Sequence, residues 1–556
     1  LSDSFPLIAI GVIFMQALLF ITLAIPTVTA VLLMLFRSSL ATANARWVAV
    51  CGASLALLCS VFLMARYHTA GAMSLESGMK PLLSTVDPTS AIRPKVEYVH
   101  TWMNTGRLKL DVYFGVDGIS VAMIALTTLL TVSSILISWE SIKDRAAEFY
   151  AALLLLETGL VGVFCSFDLV LFYVFFEMTL IPLFFLIAVW GGKERKWAAV
   201  KFFLYTLAGS LVTLSGLIYV ILDTSRGGLT NPTSLPALSA WLKAHPFPQD
   251  LQTMLFIAVS MGFLIKVPVF PFHTWLPLAH VEAPTAGSVV LAGVLLKLGS
   301  YGFLRICLPL FPNAAVTIGL PVIGLLSVIG IIYGSLCALA QTDIKKLVAY
   351  SSVAHLGFCM LGLFALNTEG ITGSVLQMIN HGLSTGALFI IVGMIYERYH
   401  TREMSEMGGL ATRLPRIAVF MVFIAMSSIG LPGLNGFVGE FLSLAGMFKA
   451  NPVYSALGTT GVILGAWYLL TAVQKVFFGT LIEPHHGDEE IDDMNPREFL
   501  AIAPLAVLCL WIGIKPAPLL DMIRPDIKAV VDHLDDARAV AAAAAVAAPA
   551  EELPAK

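Results

Sequence analysis

Residues 253–270 read TMLFIAVSMGFLIKVPVF, an apolar run of membrane-spanning character with Lys266 set inside it and Pro268 just beyond. About twenty apolar residues carry an α-helix across the hydrocarbon layer. An ionisable group at that depth costs roughly 2.5–3.5 kcal/mol on insertion scales. Three further stretches carry the same anomaly. Glu177 stands in LVLFYVFFEMTLIPLFFLIAVW (169–190), Lys297 in SVVLAGVLLKLGSYGF (288–303) and Glu440 in SIGLPGLNGFVGEFLSLAG (428–446). Charges placed this way persist where they face a protein or water-filled interior and move ions or protons.

The rest of the chain is of the same character. Its 556 residues are 58% hydrophobic and only 12% charged, with a mean hydropathy of +0.86. Soluble domains are about a quarter charged, so the bilayer must act as the solvent. The net charge of −3 argues against nucleic acid as a partner. The seven cysteines lie in or beside apolar runs, with no CxxC and no Cys/His cluster, which argues against a zinc or iron–sulfur site. No GxGxxG opens a helix and no P-loop is present, so neither flavin nor nucleotide binding is expected. The first residues lack a basic n-region and read as the first span.

Hydropathy predicts an all-α polytopic membrane protein of about fourteen spans: 7–36, 47–66, 117–139, 149–167, 169–190, 198–222, 252–271, 286–310, 315–340, 346–366, 373–396, 415–446, 455–479 and 498–519. Lys and Arg concentrate in the loops after odd-numbered spans, among them Lys193, Arg195, Lys345, Lys346 and Arg402. Those loops should be cytoplasmic and both termini should lie on the opposite face. The segment near 67–116 reads as a long loop, and the alanine-rich end (525–556) as a solvated or mobile tail. Spans four to eight and nine to thirteen read as two copies of one unit. The seventh is interrupted at KVPVFPF (266–272) and the twelfth at LPGLNG (431–436). Paired repeats with broken helices are an architecture of ion-coupled transporters. The expected division is 1–148 (first spans and long loop), 149–311 (first repeat), 312–480 (second repeat) and 481–556 (loop, last span and tail).

The candidate residues follow from depth and neighbours. Pro268 and Pro271 free carbonyls beside Lys266, tolerated at depth where they line a hydrated cavity; the alternative is a lysine snorkelling to the interface. Lys297 is close to mid-span, where snorkelling is hard. Arg305, two turns on, reads as an interfacial anchor, and Lys475 at the end of its span is open between the two roles. Glu177 has no charge in its own helix, which makes Lys266 its natural partner. Glu440 follows the LPGLNG break. Glu157 in AALLLLETGLVGVF (151–164) is also mid-span but has no break beside it, a weaker candidate. His355 in VAYSSVAHLGFCML and His381 in VLQMINHGLSTGAL could extend the lysines and glutamate into a chain of titratable groups. His485 and His486 read as solvated loop residues.

FHTWLPLAHVEAPTAGSVVLAGVLLKLGSYG (272–302), QTDIKKLVAYSSVAHLGF (341–358), MINHGLSTGALFIIVGMIYERYHTREMSEMGGL (378–410) and LPGLNGFVGEFL (431–442) closely resemble the antiporter-like subunits of respiratory complex I. The YERYHTREMSEMGGL loop and the glutamate after the break narrow the resemblance to the M branch of that family, the counterpart of mitochondrial subunit 4. The resemblance is strong over about 110–480 and weak at both ends. It implies fourteen helices with inverted five-helix repeats, and proton translocation driven by quinone reduction elsewhere in the complex. It assigns a glutamate–lysine pair to Glu177 and Lys266, a central lysine to Lys297, connecting histidines to His355 and His381, and an exit glutamate to Glu440. Flavin and iron–sulfur clusters are then expected in other subunits, with no cofactor and no direct NADH binding in this chain. Neighbouring antiporter-like subunits and the lipid bilayer are the expected partners, in a bacterial inner membrane with periplasmic termini. An Mrp-type cation/proton antiporter subunit is the alternative, sharing the same motifs.

Overall fold

A computed structural model describes residues 5–38, 41–76, 87, 89–104, 109–484 and 491–547; His485 and His486 lie outside that set. The chain begins with α1 (Phe5–Leu35) and α2 (Thr42–Glu76). The segment expected as a loop instead contains an antiparallel hairpin, β1 (Val96–Asn104) and β2 (Lys109–Val116). Its strands are rich in the β-branched and aromatic residues that suit a pleated surface.

The bundle continues with α3 (Gly118–Ile137), α4 (Ala146–Cys165), α5 (Leu169–Trp190, with a turn at Thr179) and α6 (Arg195–Arg226). Next come α7 (Leu235–Ala244), α8 (Gln249–Lys266) and α9 (Leu276–Glu282). Then follow α10 (Thr285–Leu310), α11 (Pro312–Leu339), α12 (Ile344–Leu363) and α13 (Thr368–Tyr399). The chain closes with α14 (Pro415–Ser428), α15 (Asn435–Ala450), α16 (Pro452–Phe477), α17 (Pro496–Ile514) and α18 (Ala517–Ala547).

Twelve of the described helices are long and apolar enough to cross a membrane by length and composition. The two other expected spans, 252–271 and 415–446, are the two whose sequences carry a break. α8 stops at Lys266, because Pro268 has no N–H to continue the ladder. The Trp275 indole donates to the Ile265 carbonyl across that break at 3.0 Å. Between α14 and α15, Gly430 (φ 78°) and Gly433 (φ 93°) take left-handed conformations that side chains disfavour. Ser427 and Asn380 then clasp Asn435, with Asn380 Nδ2 donating to its carbonyl at 2.7 Å.

α10 and α13 are enclosed on all sides by other helices and form the centre of the bundle. Outward residues such as Met254, Val419 and Ile463 are apolar and exposed, as a lipid-facing surface requires. The chain is a multi-pass membrane protein. Close packing brings α13 onto α15: a Cβ on Gly373 would stand 2.3 Å from the Ser443 backbone nitrogen.

Three further expectations fail. The tail expected from 525 onward is helical through 547, and its first turns are docked on the bundle. Leu520, Ile523, Ile527, Val530 and Leu534 of α18 are buried, an apolar stripe at helical spacing. His533 Nε2 meets the Pro309 carbonyl at 3.0 Å, and Arg538 donates to the Leu366 carbonyl at 3.1 Å. Lys345 is no loop cation: it is buried, donating to the carbonyls of Ala283 (2.6 Å) and Val281 (3.4 Å). There it meets the negative end of α9. Arg305 is no interfacial anchor either: it is 2% exposed and ion-paired with Asp117. Lys475, by contrast, is exposed.

Candidate functional site

The central helices bring four of the singled-out residues into one file. Lys297 of α10 donates to His381 Nδ1 of α13 at 2.7 Å. The His381 and His355 rings lie 5.8 Å apart, centroid to centroid. His355 Nδ1 meets Glu440 Oε1 at 2.9 Å. Lys297, His381, His355 and Glu440 are 0%, 2%, 5% and 4% exposed. They come from α10, α13, α12 and α15, so no local stretch of sequence contains two of them.

The winding of α10 sets the position of Lys297. Leu291–Leu295 and Phe303–Cys307 are π-wound, on either side of the lysine. The Leu296 N–H bonds five residues back to Leu291 at 3.3 Å. The Lys297 ammonium itself donates to the Ala292 carbonyl. Single π turns inside helices often accompany function.

The hydrogen-bond pattern has a direction. An ammonium donating to His381 Nδ1 leaves the ring hydrogen on Nε2, and Nε2 is buried without a partner. His355 spreads across three neighbours: Glu440 at Nδ1, and the hydroxyls of Tyr468 (3.3 Å) and Ser428 (3.4 Å) at Nε2. Gln377 donates to the same Glu440 oxygen at 3.0 Å. Imidazole receives a proton on one nitrogen and releases it from the other, so two rings in series can relay. Glu440 ends the file directly after the α14–α15 break.

Lys266 and Glu177 form a separate group. No ion pair joins them; Lys266 Nζ is 3.4 Å from Thr179 Oγ1 and 4.8 Å from the centre of the Phe176 ring. They remain within electrostatic reach of each other. Lys266 is buried, which sets aside snorkelling, while Glu177 is half-buried with Oε1 unpartnered. No hydrogen bond links this group to Lys297; α8 and α10 meet through apolar packing, with Gly299 against Val267. Glu157 is fully buried with both carboxyl oxygens unpartnered, apart from either group.

Four residues escaped the sequence reading. His280 is fully buried, stacked on Phe389 at 4.6 Å with neither ring nitrogen bonded, and it lies within electrostatic reach of Lys345 and Lys297. His273 is buried between Phe270 and Tyr333. Both follow the break at Lys266 directly, a position that could have drawn attention to them. Tyr468 and Gln377 carry no comparable signal, since a tyrosine or glutamine within a span has many uses.

Comparison with known proteins identifies the family. The family described as "NADH:quinone oxidoreductase/Mrp antiporter, TM" matches residues 166–465. The chain is 42% identical over 531 residues to NADH-quinone oxidoreductase subunit M of Rhodobacter capsulatus, covering 93% of this chain and 97% of that protein. It is 43% identical to NADH-ubiquinone oxidoreductase chain 4 of Marchantia polymorpha, over 79% of this chain and 86% of that one. A chain in the structure of respiratory complex I from Thermus thermophilus with bound NADH superposes with a TM-score of 0.78 at 30% identity, covering 93% of this chain and 99% of that chain. A chain of the Mrp complex from Dietzia sp. gives 0.76 at 21% identity over 95% and 99%, a likeness of fold. The chain belongs to the NADH:quinone oxidoreductase/Mrp antiporter family of membrane subunits, on its subunit M branch.

Proposed function

We propose that this chain is a proton-translocating membrane-arm subunit of NADH:quinone oxidoreductase. Protons move along Lys297, His381, His355 and Glu440, driven by quinone reduction in other subunits. The observation that carries this reading is the buried series from ammonium to carboxylate across four helices, hydrogen-bonded at Lys297–His381 and His355–Glu440 and joined between by two imidazole rings 5.8 Å apart. Flavin and iron–sulfur clusters belong to other subunits, and this chain contributes no redox step. Its partners are the neighbouring antiporter-like subunits and the bilayer, in a bacterial inner membrane with both termini periplasmic. Residues 149–311 and 312–480 act as two repeats, each with one broken helix. An identity of 42% to a subunit M, against 21% to a chain of an Mrp complex, favours this reading over a free-standing antiporter.

Isolation through a tag on this chain tests the assignment. It should bring down flavin- and iron–sulfur-containing subunits, and the reconstituted assembly should acidify one side of a vesicle during NADH oxidation. Isolation without those subunits, with sodium/proton exchange instead, supports the antiporter reading.

In this scheme Glu177 and Lys266 modulate the charge state of the first half through Thr179, and Glu157 plays a lesser part. Glu177→Ala and Lys266→Ala should each lower pumping and coupled NADH oxidation in an assembled complex. The double variant should be little worse than the poorer single one, because residues that act together show interaction energies of about 0.5–3 kcal/mol. Losses that simply add would separate the two residues.

A further inference from the structure

A long groove interrupts the lipid-facing surface between α14 and α17. Its walls are apolar, with Val419, Val422, Phe423 and Met426 of α14 on one side and Leu510 and Ile514 of α17 on the other, and it holds about 860 Å³. A second recess of about 510 Å³ continues it past Pro415 and Val419 to Arg416, Met494 and Phe499. The deep end stops at the Leu431–Gly433 turn, where α17 packs on the break: a Cβ on Gly513 would stand 2.3 Å from the Gly433 carbonyl oxygen. The groove is thus closed at depth. It opens where α14 begins, on the face that the Lys/Arg distribution places in the cytoplasm.

Its dimensions suit a single hydrocarbon chain. Residues 415–426 of α14 rise about 17 Å, against about 15 Å for the hydrocarbon of one leaflet. Over that length the volume gives a mean cross-section of about 50 Å², too narrow to admit a helix about 10–12 Å across. The mouth carries opposite charges side by side. The Arg416 guanidinium lines it and donates to the Met494 carbonyl at 3.3 Å. Among the described residues no carboxylate is ion-paired with Arg416, whereas Arg398, Arg413 and Arg497 are matched to Glu498, Glu483 and Glu140. The Asp493 carboxylate stands at the start of α14, accepting from Arg416 N at 2.8 Å and Ile417 N at 3.3 Å, and it keeps lone pairs for a further donor.

We propose that this groove binds one ethanolamine phospholipid of the cytoplasmic leaflet, with an acyl chain along α14, the phosphate on Arg416 and the ammonium at Asp493. A guanidinium presents paired N–H donors that match phosphate oxygens. The neighbouring carboxylate attracts an ammonium and repels a purely anionic headgroup, so the charge pattern selects the zwitterion. The chain also meets a need at depth. Leu431, Pro432 and Gly433 are exposed and non-helical, and irregular backbone within the hydrocarbon needs a fixed cover. The turn satisfies donors of its own, Leu431 N on the Met426 carbonyl at 3.1 Å and Leu434 N on the Leu431 carbonyl at 3.0 Å, while Pro432 has no N–H. An apolar chain held in the groove is therefore a suitable cover.

The test does not involve pumping, so its outcome is independent of the file. Phe423→p-benzoylphenylalanine places a photoreactive ketone in the groove, and Phe441→p-benzoylphenylalanine, on the exposed face of α15, samples the bulk bilayer. The complex is reconstituted in vesicles of phosphatidylethanolamine and phosphatidylglycerol in equal parts and irradiated, and adducts of this chain are identified by mass spectrometry. At position 423 the ethanolamine lipid should be enriched over its share at 441. Arg416→Gln should lower that adduct about tenfold, as loss of one hydrogen bond to a charged group does, and leave the adduct at 441 unchanged. An adduct at 423 that has the bulk composition, or that is indifferent to Arg416→Gln, shows annular lipid only and overturns the site. So does labelling at 441 with none at 423. Attachment of 423 to another subunit overturns it as well and makes this face a protein interface. If the Phe423 variant does not assemble, Phe499 at the mouth carries the ketone, with the same outcomes.

Discussion

Glu440→Gln should abolish proton pumping while the complex still assembles. Glutamine matches glutamate in shape, and its amide oxygen can still accept from His355 and Gln377, which now share Glu440 Oε1 at 2.9 and 3.0 Å. What disappears is the titration. Moving one charge across 100 mV is worth about 2.3 kcal/mol, so the last group in the file must bind its proton tightly, then weakly, within each cycle. An amide does neither. Loss of a proton-transfer group typically lowers a rate by about 10²–10⁴-fold, and the pumping loss should fall in that range. Glu440→Asp keeps a carboxyl on a shorter stem and should retain part of the activity. The measurement is vesicle acidification together with NADH oxidation, and a fully pumping, intact Glu440→Gln complex would remove Glu440 from the path.

Lys297 gives the second large effect, because two substitutions separate charge from proton exchange. Lys297→Ala removes the donor to His381 Nδ1 and to the Ala292 carbonyl. A buried polar group left unpaired costs about 1–3 kcal/mol, so this variant should be less stable as well as inactive. Lys297→Arg retains the positive charge, but a guanidinium does not release its proton near neutral pH. If Lys297 passes protons, the arginine variant should pump about as poorly as the alanine variant, by roughly 10²-fold or more, even when it assembles better. Wild-type pumping by Lys297→Arg would show that a fixed charge suffices and that the proton path bypasses this residue.

The spans were legible because an apolar run of given length has one meaning in a bilayer. Both broken helices were legible because Pro268 and the Gly430–Gly433 stretch interrupt such runs. The membership of the file was legible too: Lys297, His355, His381 and Glu440 each stand out as titratable groups at depth. Their order was not, since Lys297 and His381 are 84 positions apart and only packing brings them together. The same blindness misplaced Arg305. Its distance along the span suggests an interface, and only the fold shows Asp117 waiting for it. For Glu177 and Lys266, charge complementarity suggested a pair; the two stand within electrostatic reach, and the hydrogen-bond partner at the lysine, Thr179, could not be read from the sequence. The α18 stripe at Leu520, Ile523, Ile527, Val530 and Leu534 was readable at helical spacing, but the following alanines obscured it.

The π turns on both sides of Lys297 have a mechanical consequence. Each holds one more residue than an α-turn needs, so α10 has slack built into its thread above and below the lysine. Passing one such residue from one side to the other would rotate Lys297 by about 100° around the helix axis, with both ends of α10 left in place. The ammonium could then swing away from His381 like a switch blade on a fixed spindle, and the surrounding membrane protein would not have to move as a body.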